Sequence, residues 1–177
     1  MNDPALEGGF RFWLGATYLN MRKYVQAREA LERGISLLER SRLIPSTLNG
    51  LRLALALVKT SCGDVDIEME PLYRYQAANK MKYMEGLLRR YLSAILLDLD
   101  AKHLSQAEDL IKRAIEDDTR NGTRFSLAED FAHYAELCKR KGDLVMAKEK
   151  LSKAIEIFKE CGSDGWVKRY EEELARL

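Results

Sequence analysis

The chain has 177 residues, enough for one domain with a buried core, and its 29 Lys and Arg nearly balance 28 Asp and Glu. A net charge of +1 is too balanced to imply charge-driven attraction to nucleic acid or an anionic membrane. Three prolines, eleven glycines and 46% hydrophobic residues favour helix over a turn-rich sheet.

The first ten residues, MNDPALEGGF, lack the basic start and apolar run of a secretory signal. No stretch reaches the roughly 18 apolar residues of a membrane span, so a cytoplasmic chain without membrane association is expected. Cys62, Cys138 and Cys161 are odd in number and form no CxxC pair, which fits reduced thiols rather than a disulfide framework or a zinc site.

A first amphipathic helix is expected over FRFWLGATYL, followed by a connection at 20–23 and a second helix. In that second helix Tyr24, Ala27, Leu31, Gly34, Ile35 and Leu38 stand at offsets 0, 3, 7, 10, 11 and 14, which fall on one helical face. Ala or Gly at offsets 3 and 10 lets a neighbouring helix come close, and the larger residues fill the space beside it.

PSTLNGLRLALALVKTS predicts a third helix, stopped at Cys62-Gly63-Asp64. The next hairpin partner is divergent. The template at its expected place puts Asp64, Pro71 and Arg74 on the packing face, whereas a start at Cys62 recovers Val65, Met69, Leu72 and Tyr73. An irregular entry between 62 and 70 is expected, with Pro71 in the first turn of a helix, where its missing N–H costs nothing.

The template returns 80 residues after its first appearance in Leu104, Ala107, Ile111, Ala114 and Ile115, with Asp118 in place of the last apolar residue. It returns again 40 residues later in Leu144, Ala147, Leu151, Ala154, Ile155 and Phe158. Ahead of this last copy, SLAEDFAHYAELCKR predicts a helix capped by Ser126 with Glu129 in a capping box, and Gly142-Asp143 ends it and caps the next. The C-terminal segment predicts a short helix with Asp164 as cap and Trp166, Tyr170 and Leu174 on one face, covering Leu151, Ile155 and Phe158. The expectation is an all-α, right-handed α-solenoid in a single domain, 1–177. Its hairpins span 5–42, 46–80, 82–119 and 124–161, with a capping helix over 164–177.

This pattern resembles the tetratricopeptide repeat. The first unit carries Leu14-Gly15, Tyr18, Tyr24, Ala27, Leu31 and Gly34 at that family's spacings, with Arg11 where its tryptophan stands. The last unit carries Phe131, Tyr134-Ala135, Cys138, Ala147, Leu151 and Ala154. The closing proline is missing, and the period of about 40 is longer than the family's usual 34. FWLGATY and IFKECGSDGWVKRYEEEL are similar to segments of the C-terminal repeat regions of bacterial signalling ATPases and cyclases.

The resemblance implies a protein-interaction scaffold, either a fragment of the sensor or regulatory region of a larger signalling chain, whose other domains are then further partners, or a stand-alone relative of such a region. Its groove takes a protein or peptide, without cofactor, metal or catalytic residues. Carried over residue by residue, the groove-facing positions are Phe12, Ala16 and Asn20, then Asn49, Arg52, Ala56 and Lys59, then Arg89, Leu92 and Leu96, then Glu129, Ala132, Glu136 and Lys139. Phe12, Leu92 and Leu96 serve as apolar anchors. The Lys and Asn with which some members clamp a peptide carboxylate are replaced by Phe12 and Ala16, which argues against that clamp.

Two other classes remain open. A nucleic-acid binder would use Arg89-Arg90 and Lys139-Arg140-Lys141, but these lack interleaved aromatics, and the second run suits a helix C-terminus. An enzyme would need His103 or His133, the only histidines, or a carboxylate pair among Asp98, Asp100, Asp117 and Asp118. His133 and Cys138 are five apart and so do not share a helical face, and the four aspartates read as solvated helix ends. A buried carboxylate cluster around either histidine would mark the enzyme.

Overall fold

The computed structural model describes residues 3–177, and among these there are helices and turns but no strand. The helices are α1 (Pro4–Asn20), α2 (Tyr24–Ser41), α3 (Pro45–Ser61), α4 (Met69–Ala77), α5 (Glu85–Leu99), α6 (Leu104–Asn121), α7 (Arg124–Arg140), α8 (Leu144–Glu160) and α9 (Asp164–Leu174). The all-α class is therefore as expected. Two compact units divide the chain, one ending at Met84 and the other running Glu85–Leu177.

In the first unit, Asp3 caps α1 by accepting from the Ala5 N–H at 2.9 Å, with Pro4 at the first helical position. Small residues set how close the helices lie. A Cβ added to Gly8 would sit 2.4 Å from Leu38 Cδ2, and one on Gly15 would sit 2.5 Å from Leu31 Cδ2. On Gly34 it would meet both Arg11 Cβ and Leu51 Cδ2 at 2.9 Å, so α2 is held tightly between α1 and α3. Gly63, at φ +90°, ends the turn after α3, and the chain is irregular up to Met69. Pro71 then lies in the first turn of α4. Val65 is exposed outside any helix, and of the four residues the shifted template recovers only Leu72 is buried. A 3₁₀ turn, Lys82–Met84, stands where the third hairpin was expected to begin, and Met84 packs into the space left by Gly50.

The second unit repeats the packing logic. Ala107, Ala114, Ala147 and Ala154 are all fully buried where α6 and α8 meet their neighbours. Asp143 caps α8 by accepting from the Met146 N–H at 2.9 Å, after Gly142 at φ +80°. Two expected caps are corrected. Helix α7 starts at Arg124, so Ser126 lies inside it, its hydroxyl engaged by Arg90 at 3.1 Å. Helix α9 starts at Asp164 itself, with Ser163 in the cap position. Trp166 and Tyr170 both stack on Phe158 with ring centroids 5.6 Å apart, in one core with Leu151 and Ile155, as the amphipathic face predicts.

Candidate functional site

The last template position is a core position. Leu38, Asp118 and Phe158 occupy it in three helices, and all three are 0% exposed. Asp118 is thus a carboxyl placed where a large apolar residue belongs. Facing it on α5 is Gly86, whose added Cβ would lie 2.3 Å from Asp118 Cγ, the same relation that Gly8 has to Leu38. Asp118 Oδ1 accepts from the Thr123 hydroxyl at 2.6 Å. Asp117 is also buried, held by Arg89 Nε at 2.5 Å and Arg120 at 2.6 Å. The expectation of solvated aspartates at this helix end is therefore corrected. Asp98, by contrast, reaches Arg140 at 3.5 Å, and Asp100 accepts the Lys102 N–H in the turn before α6.

Beside Asp118 lies a buried guanidinium. Arg90, expected in a surface basic run, is 7% exposed and donates to Asp130 Oδ1 and Glu129 Oε2 at 2.6 Å each. It donates also to the Ser126 carbonyl at 2.9 Å. Burial works against its charge, but Glu129 and Asp130 outweigh that and hold its pKa above the ordinary value. Asp130 is driven the other way: burial first, then the neighbouring Asp118, push its pKa well above the carboxylate range in spite of Arg90. The Oδ2 atoms of Asp118 and Asp130 are both buried without another hydrogen-bond partner. Burial favours the neutral form of Asp130, so it keeps its proton to higher pH than an exposed aspartate does.

One turn along α7, His133 Nε2 lies 3.0 Å from the Ser93 hydroxyl, which donates to the Ala107 carbonyl at 2.7 Å. Because the single hydroxyl proton is committed to that carbonyl, Nε2 carries the proton and donates to Ser93. The histidine is therefore not disposed to take a proton from the serine. Burial, then Arg90 and Arg140, push His133 down to about 3, so it is neutral at ordinary pH. Ser93 is fully buried, so this polar core joins α5, α6 and α7 rather than opening to a substrate. Among the described residues no group of three His, Cys, Asp or Glu comes together to hold a metal. The three thiols are free, and burial raises the pKa of Cys138.

The positions carried over as groove residues separate into two kinds. Phe12, Leu92 and Leu96 are at most 1% exposed, so as apolar anchors they are corrected: they pack helices and offer no surface. Among the others, Arg52 bridges to Glu39 at 2.9 Å and lies 5.0 Å over the Tyr75 ring. Arg89 is tied to Asp117, Glu129 to Arg90, and Lys139 to both Glu136 and Glu173 of α9. Asn20, Asn49 and Lys59 are partly exposed.

A run of exposed apolar residues lies on α1, and sequence reasoning missed it. Leu6, Phe10, Trp13, Leu14 and Met21 recur at steps of 4, 3, 1 and 7 on one helical face, and all are exposed, Phe10 at 66% and Trp13 at 51%. The opposite face carries the buried Gly8, Phe12, Gly15 and Ala16. Glu7 and Arg11, the only charges between Pro4 and Asn20, pair with each other at 3.3 Å. The signal was present in FRFWLGATYL, whose apolar residues surround the helix, and a helix apolar on both sides is one covered on both sides.

The described residues form an all-helical chain with a buried ionic core and an exposed apolar face on α1. No helix among the described residues is long and apolar enough to cross a membrane. The chain matches no protein-family model, and a search of curated proteins finds no significant relative.

Proposed function

We propose that the chain is a non-catalytic, cytoplasmic protein-interaction module, a right-handed stack of tetratricopeptide-like hairpins of the kind found as the sensor region of a signalling ATPase. The observation that carries the reading is the exposed apolar face of α1, with Phe10 and Trp13 at its centre. Contiguous exposed apolar surface of roughly 300–600 Å² is where soluble proteins engage partners, and aromatic residues lead such contacts. This moves the docking surface from the expected groove to α1. The test is affinity capture with the full chain, comparing wild type, Trp13→Glu and an Arg52→Ala/Lys59→Ala groove variant. A partner lost with Trp13→Glu alone supports the α1 face, one lost only with the groove variant returns docking to the groove, and none above background with any chain overturns the reading.

The carboxylates around Arg90 and His133 favour a second reading, an enzyme. Against it stands the commitment of the Ser93 proton to Ala107 and the burial of Asp118 and Asp130. Hydrolytic activity abolished by Asp130→Asn without a loss of melting temperature would establish this alternative.

A further inference from the structure

We infer that the occupant of the α1 face is a second copy of this chain, the two α1 helices packing antiparallel about a two-fold axis near Phe10 and Trp13. This rests on the reading of that face as a docking surface. Three features favour a copy over an unrelated helix.

The first is position. The two large aromatics of the stripe flank the middle of α1, so a two-fold axis between residues 11 and 12 sets Phe10 against the copy's Trp13 and Leu6 against its Thr17. Thr17 fits an apolar seam because its hydroxyl is satisfied within its own helix, donating to the Trp13 carbonyl at 2.9 Å.

The second is charge. Exposed Asp3 stands at one end of the stripe and exposed Arg22 and Lys23 at the other. An antiparallel copy brings each acidic end beside a basic one, whereas a parallel copy brings like charges together. The antiparallel order also opposes the two helix dipoles. Within the stripe Glu7 and Arg11 cancel, so no unpaired charge is carried into the seam.

The third is area. An aromatic side chain presents about 150–250 Å², so Phe10 and Trp13 at their exposures offer roughly 100 Å² each. With Leu6, Leu14 and Met21 the stripe comes to about 400–500 Å² per copy, near the core of a small interface. Adding the polar ends reaches the ~1,200 Å² at which specific pairs begin. A pair this small belongs with weak, reversible contacts.

Sedimentation of the full chain from about 1 to 300 µM tests this. The mass is expected to rise from 20.3 kDa toward twice that value. Trp13→Glu should stay monomeric throughout, at least a 100-fold weakening, with an unchanged melting temperature because the ring is half exposed. Reversing the basic end with Arg22→Glu/Lys23→Glu should weaken pairing about 10-fold, and adding Asp3→Lys should restore it. A wild type of constant monomer mass across the range, or a dimer that survives Trp13→Glu, overturns the pairing. If that monomeric wild type captures a partner that Trp13→Glu loses, only self-pairing has failed; if it captures none, the docking reading fails with it.

Discussion

Arg90 and Arg89 are adjacent in sequence and opposite in consequence. Replacing Arg90 with Met removes a largely buried guanidinium from Asp130, Glu129 and Ser126, a loss of about 3–5 kcal/mol, or roughly 6–20 °C in Tm for a chain of this length. Arg89→Ala should cost less than about 1 kcal/mol, since Arg120 still holds Asp117. Thermal melts of the two variants check the contrast. Asp130 and His133 give opposite pH dependences. The pKa of Asp130 is raised in the fold, so its contribution to stability is complete below about 3.9 and is lost as pH rises through the folded value. His133, lowered to about 3, contributes above about 6.5 and loses that contribution as pH falls toward 3. Asp130→Asn preserves the hydrogen bonds of the protonated acid. Its Tm relative to wild type should therefore rise as the pH is raised above about 4, leaving only the histidine's acid-side loss. A difference independent of pH would show that Asp130 is ionised in the fold.

At the level of the element, α9 shows what an amphipathic stripe can and cannot specify. Trp166, Tyr170 and Leu174 at steps of four point to a lid, and they join Phe158, Leu151 and Ile155 in one core. Removing 164–177 uncovers Phe158, now 0% exposed, together with its two stacked rings. Loss of a large buried aromatic costs about 3–5 kcal/mol, and Trp166 is only partly buried, so the truncated chain should melt about 6–12 °C lower and aggregate more readily. Calorimetry with light scattering checks this; an unchanged Tm would make α9 a tail without a packing role. The same reasoning misplaced Ser126. A Ser three residues before a Glu is a good cap by local rules, yet Arg90, 36 residues earlier, takes its hydroxyl, and α7 begins at Arg124 instead.

For the whole molecule, the two compact units set the scale at which stability should be measured. Glu85–Leu177 has an apolar core of α7, α8 and α9, the Arg90 network, and Glu108, which receives Tyr134 at 2.9 Å and Lys112 at 2.7 Å, all within the unit. Residues 85–177 expressed alone should therefore give a helical circular-dichroism spectrum and one cooperative melt. A featureless melt would mean that this unit depends on the first.

Spacing alone determined the helices, the small residues at their crossings, the irregular entry before Met69 and the aromatic lid, because a 3.6-residue period and the size of a side chain act within one or two turns. The register even marked Asp118 as a core position, although an aspartate at a helix end looks solvated when only its neighbours are considered. What only the tertiary structure decided was which charges meet. The Arg90, Asp130 and Asp118 cluster joins residues on three helices, Phe12, Leu92 and Leu96 became core rather than groove, and α1 was left with an uncovered face. Each depends on which neighbour removes water from a side chain, and that follows from distances across the fold that periodicity along a helix does not encode.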